Sequence, residues 1–293
     1  MPLQCAPLAI FMLWFGKQAK EHAAGGVRDR IEPATLAVSL DTHLIRARTA
    51  RVLEAARDHG GVEVLTKALH AKHQLFEAAL GPEPLRNLDE PAWGTLLDTV
   101  FPARRRVMDA LAATGFDRVR SELERLLYGD GALRDRMTGF VDGLCDGETS
   151  RRVRGGLWDL AAEVLHFRAP EQYPLMTRWV WDRSTMSGAL REFIKGSETL
   201  SDIPLDERPE TVEGARLQLA EALNEEGFYR DVSYLVDLVL ALAYGDYCRS
   251  MSMSVGMIEA EFGTKHDPLE LPARLLGIDG GRRPKEASET TTN

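Results

Sequence analysis

The sequence predicts an all-α fold, an irregular bundle of ten or more helices with no sheet. Three observations carry this. Apolar residues recur at three- and four-residue spacing through most of the chain, no alternating strand pattern competes with them, and Gly and Pro divide the chain into helix-length pieces. At 293 residues the chain is long enough for one large core or two smaller ones.

From the N-terminus, residues 1–30 read as an arm outside the packed body. Its apolar start, MPLQCAPLAIFMLWFGK, lacks the basic residue and cleavage site of a secretory signal and is too short for a bilayer span. A start at Met12 is the alternative reading of the first eleven residues. Pro33 fits the first turn of a helix running to about His59, which Gly60 and Gly61 end. Residues 62–80 form the next helix, with Val62, Leu65, Leu69, Phe76 and Leu80 on one stripe. The stretch 81–91 is a connector rich in Pro, and Asp89 or Glu90 caps the helix that follows, with Pro91 in its first turn.

Helices are then expected over 92–100, 102–113, 116–128 and 132–144, with Gly115 and Gly129 as stops, followed by 157–167 after Gly155 and Gly156. Another is expected after Pro174, ending near Lys195. Residues 196–210 form the longest polar connector and divide a main lobe, 31–195, from a C-terminal lobe, 211–278. Helices at 211–226 and 229–250 follow, and Asp267 and Pro268 open a short last helix ending at Gly277. Residues 279–293 are polar and are expected to be disordered.

Composition narrows the function classes. Lys and Arg total 36 against 45 Asp and Glu, a net charge of −9, which disfavours nucleic acid or an anionic membrane as a partner unless a local basic patch intervenes. The three cysteines are far apart in the sequence and fall in no metal-ligand spacing, so none is expected to be catalytic and the setting is expected to be reducing and cytoplasmic. The apolar run 232–245 is broken by Asp237 and too short for a span, so no membrane is expected. Phosphate-binding loops, nucleophile elbows and zinc-protease motifs are missing, and no cofactor is expected.

Several clusters could carry chemistry. Residues 152–180, RVRGGLWDLAAEVLHFRAPEQYPLMTRWV, resemble the helix-hairpin-helix region of the DNA glycosylase-like folds, through Val153, Gly155, Ala161, Val164 and Leu165. The resemblance implies a turn at Gly155 and Gly156 that approaches a phosphate, with Arg151, Arg152 and Arg154 beside it. It does not imply the glycosylase reaction. The second hairpin glycine falls at Leu157, the catalytic Asp position is Met176, Asp182 lies too far along, and the hairpin carries no Lys.

Glu163 and His166 form a Glu-x-x-His pair, the spacing at which two side chains on one helix reach one metal. With His70 and His73, also three apart, they make a conceivable metal set, set against hydrogen-bonded histidines at the edge of a core. Arg104, Arg105 and Arg106 span a wide arc and are expected to pair with carboxylates. Asp237 sits in the most apolar helix with Tyr234 and Tyr244 near its face, so it must be paired, hydrogen-bonded or protonated, and an Asp–Arg pair fixing helix register is the structural expectation. The leading expectation is an accessory or adaptor protein that binds another protein without catalysis, with Trp179 and Trp181 among its contact residues. A nucleic-acid-binding module and a metal-dependent helical enzyme are the alternatives.

Overall fold

The computed structural model describes residues 31–145, 149–254 and 267–279, the side chains at 102–106 and 252–254 excepted. The expected arm, the Arg104–Arg106 side chains and the tail beyond Asp279 lie outside the described residues. Eleven α-helices and no β-strand occur among the described residues, so the fold is all-α. None of these helices is long and apolar enough to cross a membrane.

Residues 31–41 are not helical, although Pro33 suggested a helix start there. The segment is instead held to the helix Pro209–Glu225. The Ala34 amide donates to the Glu210 carbonyl at 2.8 Å and the Leu40 amide to Gln218 Oε1 at 2.9 Å. Gly214 makes the approach possible, because a Cβ there would lie 2.3 Å from the Ala34 carbonyl oxygen. The first helix, α1 (Thr42–Arg57), begins only where Asp41 takes the His43 and Leu44 amides on its carboxylate, so the cap and not the proline sets the start.

Five of the next six helices follow the Gly and Pro punctuation closely, and a short one forms inside the connector expected at 81–91. They are α2 (Val62–Leu80), α3 (Pro82–Arg86), α4 (Glu90–Asp98), α5 (Phe101–Thr114), α6 (Phe116–Tyr128) and α7 (Leu133–Gly143). Asp89 caps α4 by accepting from the Ala92 amide, with Pro91 in the first turn. The central helix α8 (Arg151–Arg168) starts six residues earlier than expected, at an Ser150 cap, and carries Gly155 and Gly156 inside it. It packs on α2, α5, α6 and α7, and almost every side chain from Leu157 to Phe167 is buried.

The helix expected after Pro174 does not form. Residues 170–208 run as turns with two short 3-10 segments, Ala189–Phe193 and Ser197–Thr199. Asp182 takes both the amide and the hydroxyl of Ser184 on one carboxylate oxygen, Met186 has φ 50°, and Gly188 has φ 127°. A Cβ at Gly188 would lie 2.6 Å from the Val180 carbonyl oxygen, so the doubled-back chain needs glycine there. Most apolar residues from Tyr173 to Ile194 are buried all the same, which is why they read as a helix face.

The remaining helices are α9 (Pro209–Glu225), α10 (Val232–Ser254) and α11 (Glu270–Leu275). Pro209 occupies the first turn of α9. α10 packs on α1, α2, α9, α11 and Ala189–Phe193, and one continuous cluster of buried apolar residues runs from Leu36 to Leu276.

Candidate functional site

Asp159, Glu163 and His166 lie at i, i+4 and i+7 on α8, on one face. Each is no more than 2% exposed. Ionisable groups this deep must find partners, and each finds one on a different segment.

Asp159 is held by Arg178, which lies in the turn that follows Thr177. The Arg178 amide and Nε donate to Asp159 Oδ1 at 2.9 and 3.3 Å, and Nη2 donates to Oδ2 at 2.7 Å. Burial alone would lower the guanidinium pKa, but the bonds and charge of Asp159 outweigh it and the value is raised. Gly155 makes room for this pair, since a Cβ there would lie 2.2 Å from Arg178 Nη1. The glycine thus serves a side-chain packing contact inside a helix, where the sequence suggested a turn.

Glu163 Oε2 accepts from Lys72 Nζ of α2 at 2.7 Å. The same Nζ donates to the carbonyls of Thr99 at 3.1 Å and Leu276 at 2.8 Å, residues that end α4 and α11. It also lies 3.7 Å from the Phe167 ring centroid, in cation–π range. Burial pushes Lys72 below its ordinary pKa and Glu163 above its own, each opposed by the other's charge. The two carbonyls can only accept, so Nζ donates to both, and the remaining proton lies between Nζ and Glu163 Oε2; an ammonium facing a carboxylate is the form in which Nζ donates to all three oxygens. Glu163 Oε1 is buried and has no hydrogen-bond partner among the described residues.

His166 Nδ1 lies 2.8 Å from the Tyr173 carbonyl and Nε2 lies 2.9 Å from Asp237 Oδ2 of α10. Asp237 is buried as expected, but its direct partner is this histidine and not an arginine. Asp237 and Arg216 of α9 also line a cavity of about 10 Å³, close to the space one water needs. Arg216 itself is bonded to Glu213 through Nε and Nη2. Tyr234 is buried beside Asp237, and burial, then the Asp237 charge, pushes its pKa up. Tyr244 is half-buried, with its ring 6.0 Å from that of Trp179.

The conceivable metal set does not assemble. Both His166 nitrogens face oxygen partners, His73 Nδ1 lies 2.9 Å from the Phe167 carbonyl, and His70 Nε2 faces Gln74 at 3.2 Å. Glu163 faces Lys72, and no three His, Cys, Asp or Glu residues come together as a metal site among the described residues. The contact residues change as well. Trp179 and Trp181 are 5% and 4% exposed, and Trp181 Nε1 donates to the Leu205 carbonyl, so both belong to the core. Arg151 and Arg152 are exposed in the first turn of α8, while Arg154 is engaged by Asp142.

A surface concavity lies elsewhere. A groove of about 930 Å³ runs between the start of α1, residues 185–198 and the C-terminal half of α10. Asp41, His43 and Arg48 line it from the first segment, Met186, Arg191, Glu192 and 194–198 from the second, and Tyr247, Ser250 and Met251 from the third. Behind it, Asp246 accepts from Arg48, Arg51 and Arg249, and Arg48 also donates to Glu192 at 2.8 Å. The sequence did not reveal this groove, because its lining comes from three distant parts of the chain.

No family model, curated protein or solved structure matches this chain.

Proposed function

We propose that this chain is a helical accessory protein that binds another protein through the groove between α1, residues 185–198 and α10, and does no chemistry of its own. The observation that carries this reading is a separation of roles. The side chains suited to acid–base work are buried and already paired, with only a water-sized cavity beside Asp237. The groove, in contrast, opens to solvent and offers recognition without a reactive group set.

Its chemistry favours a protein partner. Arg48, Arg191 and Lys195 balance Asp41, Glu192 and Glu198 along its lining, a mixed surface with no excess of positive charge for a polyanion. Met186 and Met251 add adaptable apolar contact, and Met251 is 50% exposed.

A photo-crosslinking residue placed at Met251 in the full chain, in the cells that make it, tests the proposal. It should yield a discrete protein adduct that the same residue at the exposed Val64 of α2 does not give, and Met251→Glu should reduce recovery of that protein by about tenfold. A nuclease-sensitive adduct, or the same adduct from both positions, would overturn the reading.

A further inference from the structure

We propose that His166 and Asp237 form a proton-operated latch that ties α8 and the turn at Tyr173 to α10. The argument begins with the two oxygens that the imidazole faces. The Tyr173 carbonyl can only accept, so Nδ1 must carry a hydrogen. Asp237 Oδ2 lies on the opposite nitrogen at 2.9 Å. A neutral imidazole has one N–H. Beside an ionised Asp237, either tautomer would leave one nitrogen lone pair pointing at an oxygen. The observed arrangement is satisfied only when the pair holds a second proton, on Nε2 as an imidazolium or on Asp237 as the acid.

The surrounding charges agree. Glu163 faces His166 from its own helix, Lys72 approaches from α2, and Arg216 with its partner Glu213 comes from α9. Tyr234 lies on α10 itself, and Glu171 in the turn after α8 accepts from Ser233. With the proton present, Lys72, His166 and Arg216 balance Glu163, Asp237 and Glu213. Without it, the buried group carries one uncompensated negative charge, centred on Asp237. Burial alone would lower the His166 pKa, but Asp237, the Tyr173 carbonyl and Glu163 outweigh it and raise the value.

The sign follows from linkage. A site that binds its proton more tightly closed than open is fully engaged below the ordinary histidine value and released as pH rises through its own raised value. Between those two values the opening constant rises about tenfold per pH unit, because one proton leaves on opening. The elements freed are the first half of α10, the end of α8 and the turn that Tyr173 anchors. The latch therefore responds to alkalinisation, by a group outside the proposed binding groove.

Histidine-labelled nitrogen NMR on the full chain tests this, with His166 assigned by its loss in His166→Asn. The pair should keep its second proton above the ordinary histidine value, read as two protonated ring nitrogens on His166 or, from the carboxyl carbon of labelled Asp237, as the neutral acid. Amide protection factors over 232–243 should fall about tenfold per unit across the same window. In Asp237→Asn a neutral His166 can keep Nδ1–H on Tyr173 and accept from the new amide at Nε2, so the protection should become flat. A singly protonated His166 beside an ionised Asp237 at neutral pH, or wild-type protection as flat as that of Asp237→Asn, would overturn the proposal. If Asp237→Asn does not fold, the wild-type titration decides alone.

Discussion

Lys72 and Glu163 meet at 2.7 Å in the core, and the same Nζ caps two other helices by donating to the Thr99 and Leu276 carbonyls. One side chain thus joins α2, α4, α8 and α11. The ammonium is also well placed for the negative ends of α4 and α11.

Removing one partner of this pair should cost far more than removing both. Lys72→Met leaves Glu163 buried and uncompensated, and about 3–5 kcal/mol should be lost in urea denaturation. Lys72→Met combined with Glu163→Leu removes both charges and should recover most of that loss. Recovery stays incomplete because the Thr99 and Leu276 carbonyls still lack a donor, each costing about 1–3 kcal/mol if it stays dry. A double variant no more stable than Lys72→Met would show that the pair's charges are not what matters.

Gly277 supports the same junction from the other side. Its φ is 68°, and a Cβ there would sit 1.8 Å from the Thr99 carbonyl oxygen and 3.1 Å from Lys72 Nζ. Gly277→Ala therefore combines backbone strain of about 1–3 kcal/mol with a clash that the backbone must relieve by moving. Hydrogen exchange should quicken first over 267–279, and the urea midpoint should fall. Unchanged exchange in that segment would mean the α11 end docks without Lys72.

Most helices were legible because their signals are local. Asp89, Pro91, Gly115 and Gly129 act within a turn of themselves, and the elements they bound fall within a few residues of expectation. The misses have a common cause in contacts between distant residues. Gly155 looked like a turn residue but faces Arg178, and Pro33 looked like a helix start but its segment is captured by α9. The site was half visible. Glu163 and His166 stood out by their spacing and Asp237 as a carboxylate in an apolar run, but their pairing needed the fold. Lys72 had a signal that the stripe reading passed over: it lies three residues after Leu69 and four before Phe76, on the buried face itself. Asp159 had the same signal at helical spacing from Glu163 and His166.

Asp206 gives a pH-dependent prediction at the entrance to α9. Its Oδ1 accepts the Arg208 amide at 3.0 Å and the Thr211 hydroxyl at 2.6 Å, and Oδ2 accepts Arg208 Nε at 2.6 Å. Burial alone would raise its pKa, but the Thr211 and Arg208 bonds outweigh it and the value is lowered. A carboxylate depressed in the folded chain stabilises it above the unfolded value and loses that contribution as pH falls through the folded value. Asp206→Asn should therefore be less stable than wild type near neutrality and converge with it in acid, below the ordinary aspartate value of about 3.9. With its side chain 44% exposed, solvent screening keeps the neutral-pH difference to about 0.5 kcal/mol. Urea denaturation of both proteins from neutral to acid pH measures the gap. A gap that widens on acidification would mean that the bonds at Asp206 favour its protonated form, contrary to the geometry of three donors around two oxygens.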